Sequence, residues 1–402
     1  MNPMTRRDVL RTMGSGFGML GLANLLAQNS AAGPLDPKPT EFPAKAKHVI
    51  FLFLNGGPSH VDTFDPKPML TKYNGKPIPA GNLKTERKTG NLLASPFQFR
   101  RCGKSGIEIS EIFPRLGERI DDVCVIRSMY TDRPNHEPSL LMMNCGQKLP
   151  GRPSMGSWLT YGLGTENQNL PGFIVLCPGL PVLGPPLWSS GFLPAVYQGT
   201  YIPNNETEPE KMIQHIRNPQ RTETEQRRQL DLLGKLNRLN LKKEGADPQL
   251  EASIQSMEIA FRMQKEAPEV FDITKESAAV RARYGEGDFA RGCLMARRLV
   301  ERGVRMVQVY FGNFQPWDNH DDILIHRKLA AQADGPIAAL LEDLKTSGLL
   351  QETLVIISGE FGRTPAVEIS GLVKVQNGRD HNSYGFSTLL AGGGIKGGTT
   401  YG

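Results

Sequence analysis

Five short polar stretches of this chain combine histidine, acid and glycine at spacings that could do chemistry. NGGPSHVDTFDPKP (55–68) sets Asn55, Ser59, His60, Asp62 and Asp65 within eleven residues, behind two glycines that permit close backbone approach. MYTDRPNHEPSLLMMNCG (129–146) places His136 and Glu137 just ahead of Pro138, which suits the first turn of a helix. The backbone donors of such a turn form a cradle for an anion. In NFQPWDNHDD (313–322), Asp318 and His320 are two apart, so both side chains could reach one ion from an extended loop. A carboxylate and an imidazole together suit zinc or a harder divalent cation. Asp322 and His326 form a competing pair at helical spacing. SGEFGRTP (358–365) presents Glu360 and Arg363, either as site residues or as an ion pair closing a strand. NGRDHNSYGFSTLLAGGG (377–394) puts Asp380 and His381 ahead of another strand.

Each stretch also has a bland reading. Asx- and Pro-rich loops bond to their own backbone, and a single histidine is commonly structural. Histidine in four of five clusters, each lying at a strand end, points instead to one shared site. Among common enzyme signatures, H-E-x-x-H, a Walker loop and, outside the N-terminal segment, G-x-S-x-G are missing.

Clusters of this kind converge only if a sheet brings the strand ends together. KHVIFLFL (47–54) is continuously apolar, as expected of a strand buried on both faces. Further strands are expected at 122–128, 172–177, 304–311 and 353–358. Between the last two, residues 326–348 carry Leu329, Ala333, Ile337, Leu340, Leu341 and Leu344 at helical spacing, completing a βαβ unit. Repeated units of this type predict an α/β chain with a mostly parallel sheet covered on both faces. In open sheets of this class, ligands bind at the carboxyl edge of the strands. Residues 205–302 are polar and helical. Thr222 and Glu225 form a capping box ahead of Leu232, Leu233, Leu236 and Leu239, and Asp247-Pro248 opens a second helix with Leu250, Ile254, Met257 and Phe261 on one stripe. This segment is expected as a helical excursion on one side of the sheet.

The N-terminus reads as an address rather than as structure. Arg6-Arg7 precede an apolar, glycine-rich run to about Ala27, with small residues at Ser30 and Ala32, the pattern of a twin-arginine export signal over residues 1–32. The run is short for a membrane span. Residues 33–46 follow as a linker into a domain at 47–402. The expected location is therefore periplasmic or extracellular, the twin-arginine machinery is a partner, and no permanent membrane span is expected. The 402 residues are 39% apolar and 22% charged, with a formal charge of +6 that falls to +4 without the leader. No basic tract with interleaved aromatics is present, which argues against nucleic acid. Five widely spaced cysteines without C-x-x-C give neither a zinc motif nor a disulfide framework, and Cys124 and Cys177 sit in core-like runs.

Taken in order, NGGPSHVDTFDPK, NHEPS, GRPSMGSWLTYGLG, LMARRLVERGVRMVQVY, WDNH, SGEFGRTP and GRDH resemble the secreted, sulfatase-like family called domain of unknown function 1501, within the alkaline phosphatase and sulfatase superfamily. The resemblance covers nearly the whole mature chain. It implies a three-layer α/β/α sandwich, alkaline-phosphatase-like, with a divalent metal (zinc, calcium or manganese) at the carboxyl ends of the strands. Carried over by position, it implies Asp318, His320, Asp380 and His381 as metal ligands, with Glu360 in the place of an acid. Asp62 or Asn55 stands in for an acid missing after the first strand. His136, Glu137 or Ser139 falls at the place of the nucleophile. Phe361 replaces an expected histidine, so Arg363 would take over anion binding from a second ion, since guanidinium holds sulfate or phosphate bidentately. The family pattern also continues beyond Tyr401-Gly402, so the sequence is expected to be C-terminally truncated.

The activity implied is hydrolysis of sulfate or phosphate esters of small molecules or carbohydrates. Ser139 or water would attack, with His136 as acid or base and Arg363 on the anion. The alternative is a non-catalytic binding or scaffold protein that keeps the fold, as Phe361 and Asn55 suggest.

Overall fold

The computed structural model describes residues 33–79, 85–213, 216, 218–244, 248–372 and 374–402. The leader lies outside these. Among the described residues thirteen strands run β1 His48–Phe53, β2 Thr89–Leu92, β3 Phe99–Cys102, β4 Ile107–Ser110, β5 Val123–Met129, β6 Phe173–Leu176, β7 Thr200–Ile202, β8 Met306–Tyr310, β9 Thr353–Ser358, β10 Gly362–Glu368, β11 Arg379–Asn382, β12 Phe386–Ala391 and β13 Thr399–Tyr401. Eight of them form one sheet in the order β13-β5-β12-β9-β1-β8-β6-β7. Its pairings are parallel except those of β12, which runs antiparallel to both β5 and β9. β5, β9, β1 and β8 therefore all point one way, and their carboxyl ends share an edge.

The apolar runs become central strands because every side chain in them is covered. All six residues of β1 are buried. Ile50 and Leu52 face one core, with Leu299, Ala333 and Leu340 from helices α6 (Asp288–Glu301) and α7 (Ile325–Thr346). Val49, Phe51 and Phe53 face the other, with Leu140 and Leu141 of helix α2 (His136–Cys145) and with Met155 at the start of helix α3 (Met155–Leu163). Helices on both faces make the expected α/β/α sandwich. Cys177 is buried in the second core, whereas Cys124 is only half-buried.

Two local expectations meet a different outcome. The capping box forms, with Thr222 N–H donating to Glu225 Oε2 at 2.9 Å and Glu225 N–H to Thr222 Oγ1 at 3.3 Å. The helix it opens, α4 (Glu223–Glu244), nevertheless leaves Leu232, Leu233, Leu236 and Leu239 exposed. It meets α5 (Pro248–Val270) through Arg227, which pairs with Glu258 at 3.1 Å and lies over the Phe261 ring. The segment read as a linker also lies partly on the domain: Leu35 is buried, and its carbonyl accepts from Thr165 N–H at 2.8 Å. Among the described residues no helix is long and apolar enough to cross a membrane.

The carboxyl edge carries a second sheet, β11-β10-β2, which the sequence reading did not contain. Gly359, Glu360 and Phe361 lead from β9 straight into β10, and β10 pairs antiparallel with β11 so that Arg363 faces His381.

Candidate metal centre

Each strand of the shared edge delivers part of one polar centre. β1 ends in Asn55-Gly56-Gly57, and β5 leads to the start of α2 with His136. The loop after β8 carries Asp318 and His320, while β9 leads to Glu360 and β11 holds Asp380 and His381. Gly56 is required here. It has φ +115°, and a Cβ would sit 2.6 Å from Asp318 N, so the loop bearing Asp318 closes only on a glycine. Gly378 does the same for His320, whose carbonyl carbon lies 2.3 Å from the place of its missing Cβ.

Three ligand-type atoms converge. His320 Nε2 is 2.9 Å and His381 Nε2 3.0 Å from Asp318 Oδ1, and the two nitrogens are 3.0 Å from each other. The far sides of the rings fix their tautomers. His320 Nδ1 lies 2.5 Å from Glu368 Oε2, and His381 Nδ1 lies 2.8 Å from Glu86 Oε2 and 2.6 Å from Pro134 O. All three are acceptors, an arrangement that favours the proton on each Nδ1 and leaves each Nε2 to ligate. Two lone pairs facing each other at this distance repel unless a cation lies between them. Three donor atoms this close to one another could be shared by one divalent ion.

His136 adds a fourth group. Its Nδ1 is 2.7 Å from Glu360 Oε1, and its Nε2 is buried, 3.4 Å from Asp318 Oδ2 and without a hydrogen-bond partner. His136, Asp318 and His381 form one cluster of ligand atoms within 4.8 Å of one another, and His320, Glu368 and Asp380 form a second beside it. The electrostatics fit a site made for positive charge. Burial opposes ionisation of Asp318, but Arg363 and the three imidazoles outweigh it and hold its carboxyl well below the usual range. Burial lowers His136, yet Asp318 and Glu360 raise it further, to about 9. Burial and then the Arg363 charge push His381 down to about 3, so it is neutral and able to ligate. A donor set of one carboxylate and two imidazoles, with an orphaned imidazole nitrogen alongside, fits a divalent ion.

The other expected site residues are placed differently. Glu360 orients: both its oxygens accept from Gly56 N–H, at 3.0 and 3.1 Å, and Oε1 also holds His136. Asp380 accepts from Arg87 N–H at 2.7 Å and from His381 N–H at 2.8 Å, and burial raises its pKa. Asp62 does not reach the centre. It is fully buried and paired side-on with Arg379, at 2.7 and 3.1 Å. Asn55 is a stitch, its amide donating to Gly312 O at 2.9 Å and to Phe314 O. Ser139 is buried, with its hydroxyl donating to Arg133 O at 2.6 Å, which turns it away from a role in attack. Arg363 departs most from its expected role. Its guanidinium is fully buried and donates to the carbonyls of Gly57, Arg379, Gly56 and Trp317 and to Asp318 Oδ1. It braces the centre from behind rather than facing an incoming anion. Phe361, in the place of an expected histidine, packs 4.8 Å from the His136 ring and 4.4 Å from that of His381.

Glu86 and Glu368 were not singled out from sequence. Glu368 left one signal, an acid in the otherwise uncharged second half of a strand. Glu86 left none.

In sequence, no match was found among curated proteins. Among solved structures the chain is similar to the PsFucS1 sulfatase from Pseudoalteromonas sp., with 12% identity, 88% of this chain and 64% of that one covered, and a TM-score of 0.37. It is also similar to the alkaline phosphatase from the Antarctic bacterium TAB5, at 11% identity, 89% and 94% coverage and a TM-score of 0.36. For the lipoteichoic acid synthase LtaP from Listeria monocytogenes the values are 10%, 91%, 71% and 0.33. The chain thus spans a little under two thirds of the first of these. Residues 46–402, which hold every strand and the whole centre, match the model of a single family, described as Protein of unknown function (DUF1501), and the chain belongs to that family.

Proposed function

We propose that this protein is an exported, metal-dependent hydrolase of sulfate or phosphate esters. The observation that carries the reading is the triangle of Asp318 Oδ1, His320 Nε2 and His381 Nε2, whose edges are 2.9, 3.0 and 3.0 Å. These three residues would hold a divalent ion (zinc, manganese or calcium), with His136 as a fourth ligand or as a proton carrier beside it. A bound ion would supply Lewis-acid polarisation of the ester and a lowered pKa for water at the site.

The chain's own residues have separable tasks. Glu368 and Glu86 hold the two imidazoles in the ligating tautomer. Arg363 anchors Asp318 from the protein side. Glu360 orients His136, which its raised pKa keeps protonated, so that its Nε2 can deliver a proton to the leaving oxygen. Ser139 and Arg363 fit neither of the roles first expected of them, so water is the nucleophile in this reading. The twin-arginine pattern at Arg6-Arg7 supports export through that machinery and action outside the cytoplasm.

The test is elemental analysis of the mature protein purified without chelator, beside an Asp318→Ala/His320→Ala variant, followed by a screen of sulfate and phosphate esters. Near-stoichiometric metal that the variant loses, together with ester turnover, supports the hydrolase. A binding protein is the second reading, favoured by Phe361 packed against both imidazoles and by the inward-facing Arg363. Bound metal with no turnover of any ester would select it.

A further inference from the structure

The loop that carries Asp318 has a second face. Its earlier part, Gly312 to Pro316, forms one wall of an open cleft of ≈ 640 Å³. Pro178, after β6, and the first turn of α6 with the two residues before it line the cleft too. This volume is in the range of small-ligand sites. The lining is of two kinds. Pro178, Phe311, Pro316 and Leu329 are apolar, while Asn205, Glu286, Asn313 and Gln332 set polar ends around them. Asn205, Glu286 and Gln332 are exposed, and no hydrogen bond or ion pair of their side chains is found. Asn313 uses its side-chain oxygen on Leu180 N–H and Phe314 N–H, at 3.0 Å each, leaving its NH₂ free.

We propose that this cleft binds an uncharged sugar unit. Apolar surface ringed by uncommitted amides and a carboxylate suits a molecule with C–H faces and many hydroxyls. An amide can donate and accept, and a carboxylate accepts from two hydroxyls at once. Asp288 is paired with Arg291, so the free carboxylate of Glu286 sets the sign of the cleft; it repels a sulfated or phosphorylated unit and favours a neutral one. Asp318 lies only two residues beyond Pro316. One wall of the cleft and Asp318 thus belong to the same loop, and in the hydrolase the ester group of the same carbohydrate would meet the metal. That last link rests on the hydrolase reading; the binding of a neutral sugar does not.

The experiment is saturation-transfer NMR and calorimetric titration of the mature protein with neutral mono- and disaccharides of galactose, glucose, mannose, fucose and xylose. A Glu286→Ala/Gln332→Ala variant, altered only at exposed positions, is titrated alongside. The expected result is millimolar or tighter binding of at least one sugar, weakened about tenfold in the variant by loss of two hydrogen-bonding groups. No binding by the unaltered protein, or equal binding by the variant, overturns the proposal. Metal content and ester turnover are read separately. A chain that binds sugar and hydrolyses nothing keeps the cleft and loses the hydrolase; one that hydrolyses esters and binds no neutral sugar does the reverse.

Discussion

His320 Nε2 and His381 Nε2 face each other at 3.0 Å, and each ring is held from behind by a carboxylate, Glu368 for the first and Glu86 for the second. The arrangement predicts a graded response. His381→Ala removes a ligand and should abolish stoichiometric metal in the purified protein. Glu368→Gln keeps the shape but loses the charged acceptor, and should weaken metal affinity by about 10–100-fold. Competition with a chelator of known affinity measures both. Unchanged metal content in His381→Ala would overturn the ligand assignment.

Asp62 separates a structural role from a ligating one. It and Arg379 are both fully buried and bonded at two points, so removing the acid strands a guanidinium in the interior. Asp62→Ala should destabilise the fold by about 3–5 kcal/mol, read as a shift in denaturant midpoint. The metal content of the fraction that remains folded should stay at the level of the unaltered protein. A loss of metal without a loss of stability would restore Asp62 to the centre.

Arg363→Lys tests the brace. A lysine offers one point charge where the guanidinium reaches four carbonyls and Asp318 together. The expected outcome is a lower melting temperature and weaker metal binding in the same variant. Anion inhibition, measured with sulfate or phosphate, should change no more than metal occupancy does. A selective loss of anion affinity at full metal occupancy would return Arg363 to the anion.

The sandwich was legible because strands covered on both faces leave continuous apolar runs. His48–Phe53 and Thr353–Ser358 could scarcely be anything else. The β11-β10-β2 sheet was not legible: β2 and β11 have four residues each, and β10 carries Arg363, Thr364 and Pro365, which read as a loop. The centre divides the same way. Asp318, His320 and His381 stood out by type and spacing. Glu368 gains its role only when β10 pairs with β2 and β11, and Glu86 only when its loop reaches His381 across the fold. Arg363 lies beside Asp318 but turns its guanidinium inward, since sequence gives proximity to a strand end but not the direction of a side chain.

Two histidines outside the centre set a pH dependence. His326 is fully buried, and its Nε2 accepts from Ser59 N–H at 3.0 Å; burial pushes its pKa down to about 3. His60, also buried, accepts from Arg363 N–H, and burial lowers it to about 4. In the unfolded chain both titrate near 6.5. Below that pH the unfolded state takes up protons that the folded state refuses, so stability is full above about 6.5 and falls as the pH drops toward 4. Each group contributes about 1.4 kcal/mol per pH unit across that window. Urea unfolding between pH 7.5 and 4.5 should show this decline, and His326→Gln, which can still accept from Ser59, should flatten it. An equal slope in the variant would remove His326 from the account.

Phe314 and Leu183 are the only non-glycine residues with positive φ among those described, at 52° and 73°. Both are exposed, and their loops are joined by Phe314 N–H donating to Leu180 O at 3.0 Å. A bulky residue in the left-handed region costs about 1–2 kcal/mol. Because the Phe314 ring is 66% exposed, its removal forfeits little packing. Phe314→Gly should therefore leave the melting temperature unchanged or raise it by a few degrees, strain relief offsetting the greater freedom of glycine in the unfolded chain. Metal content should be unaffected, since the Asn55 amide grips the carbonyl of residue 314 whatever its side chain. A clear drop in melting temperature would mean that the ring supports the Asp318 loop after all, and loss of metal in the same variant would show that this support extends to the centre.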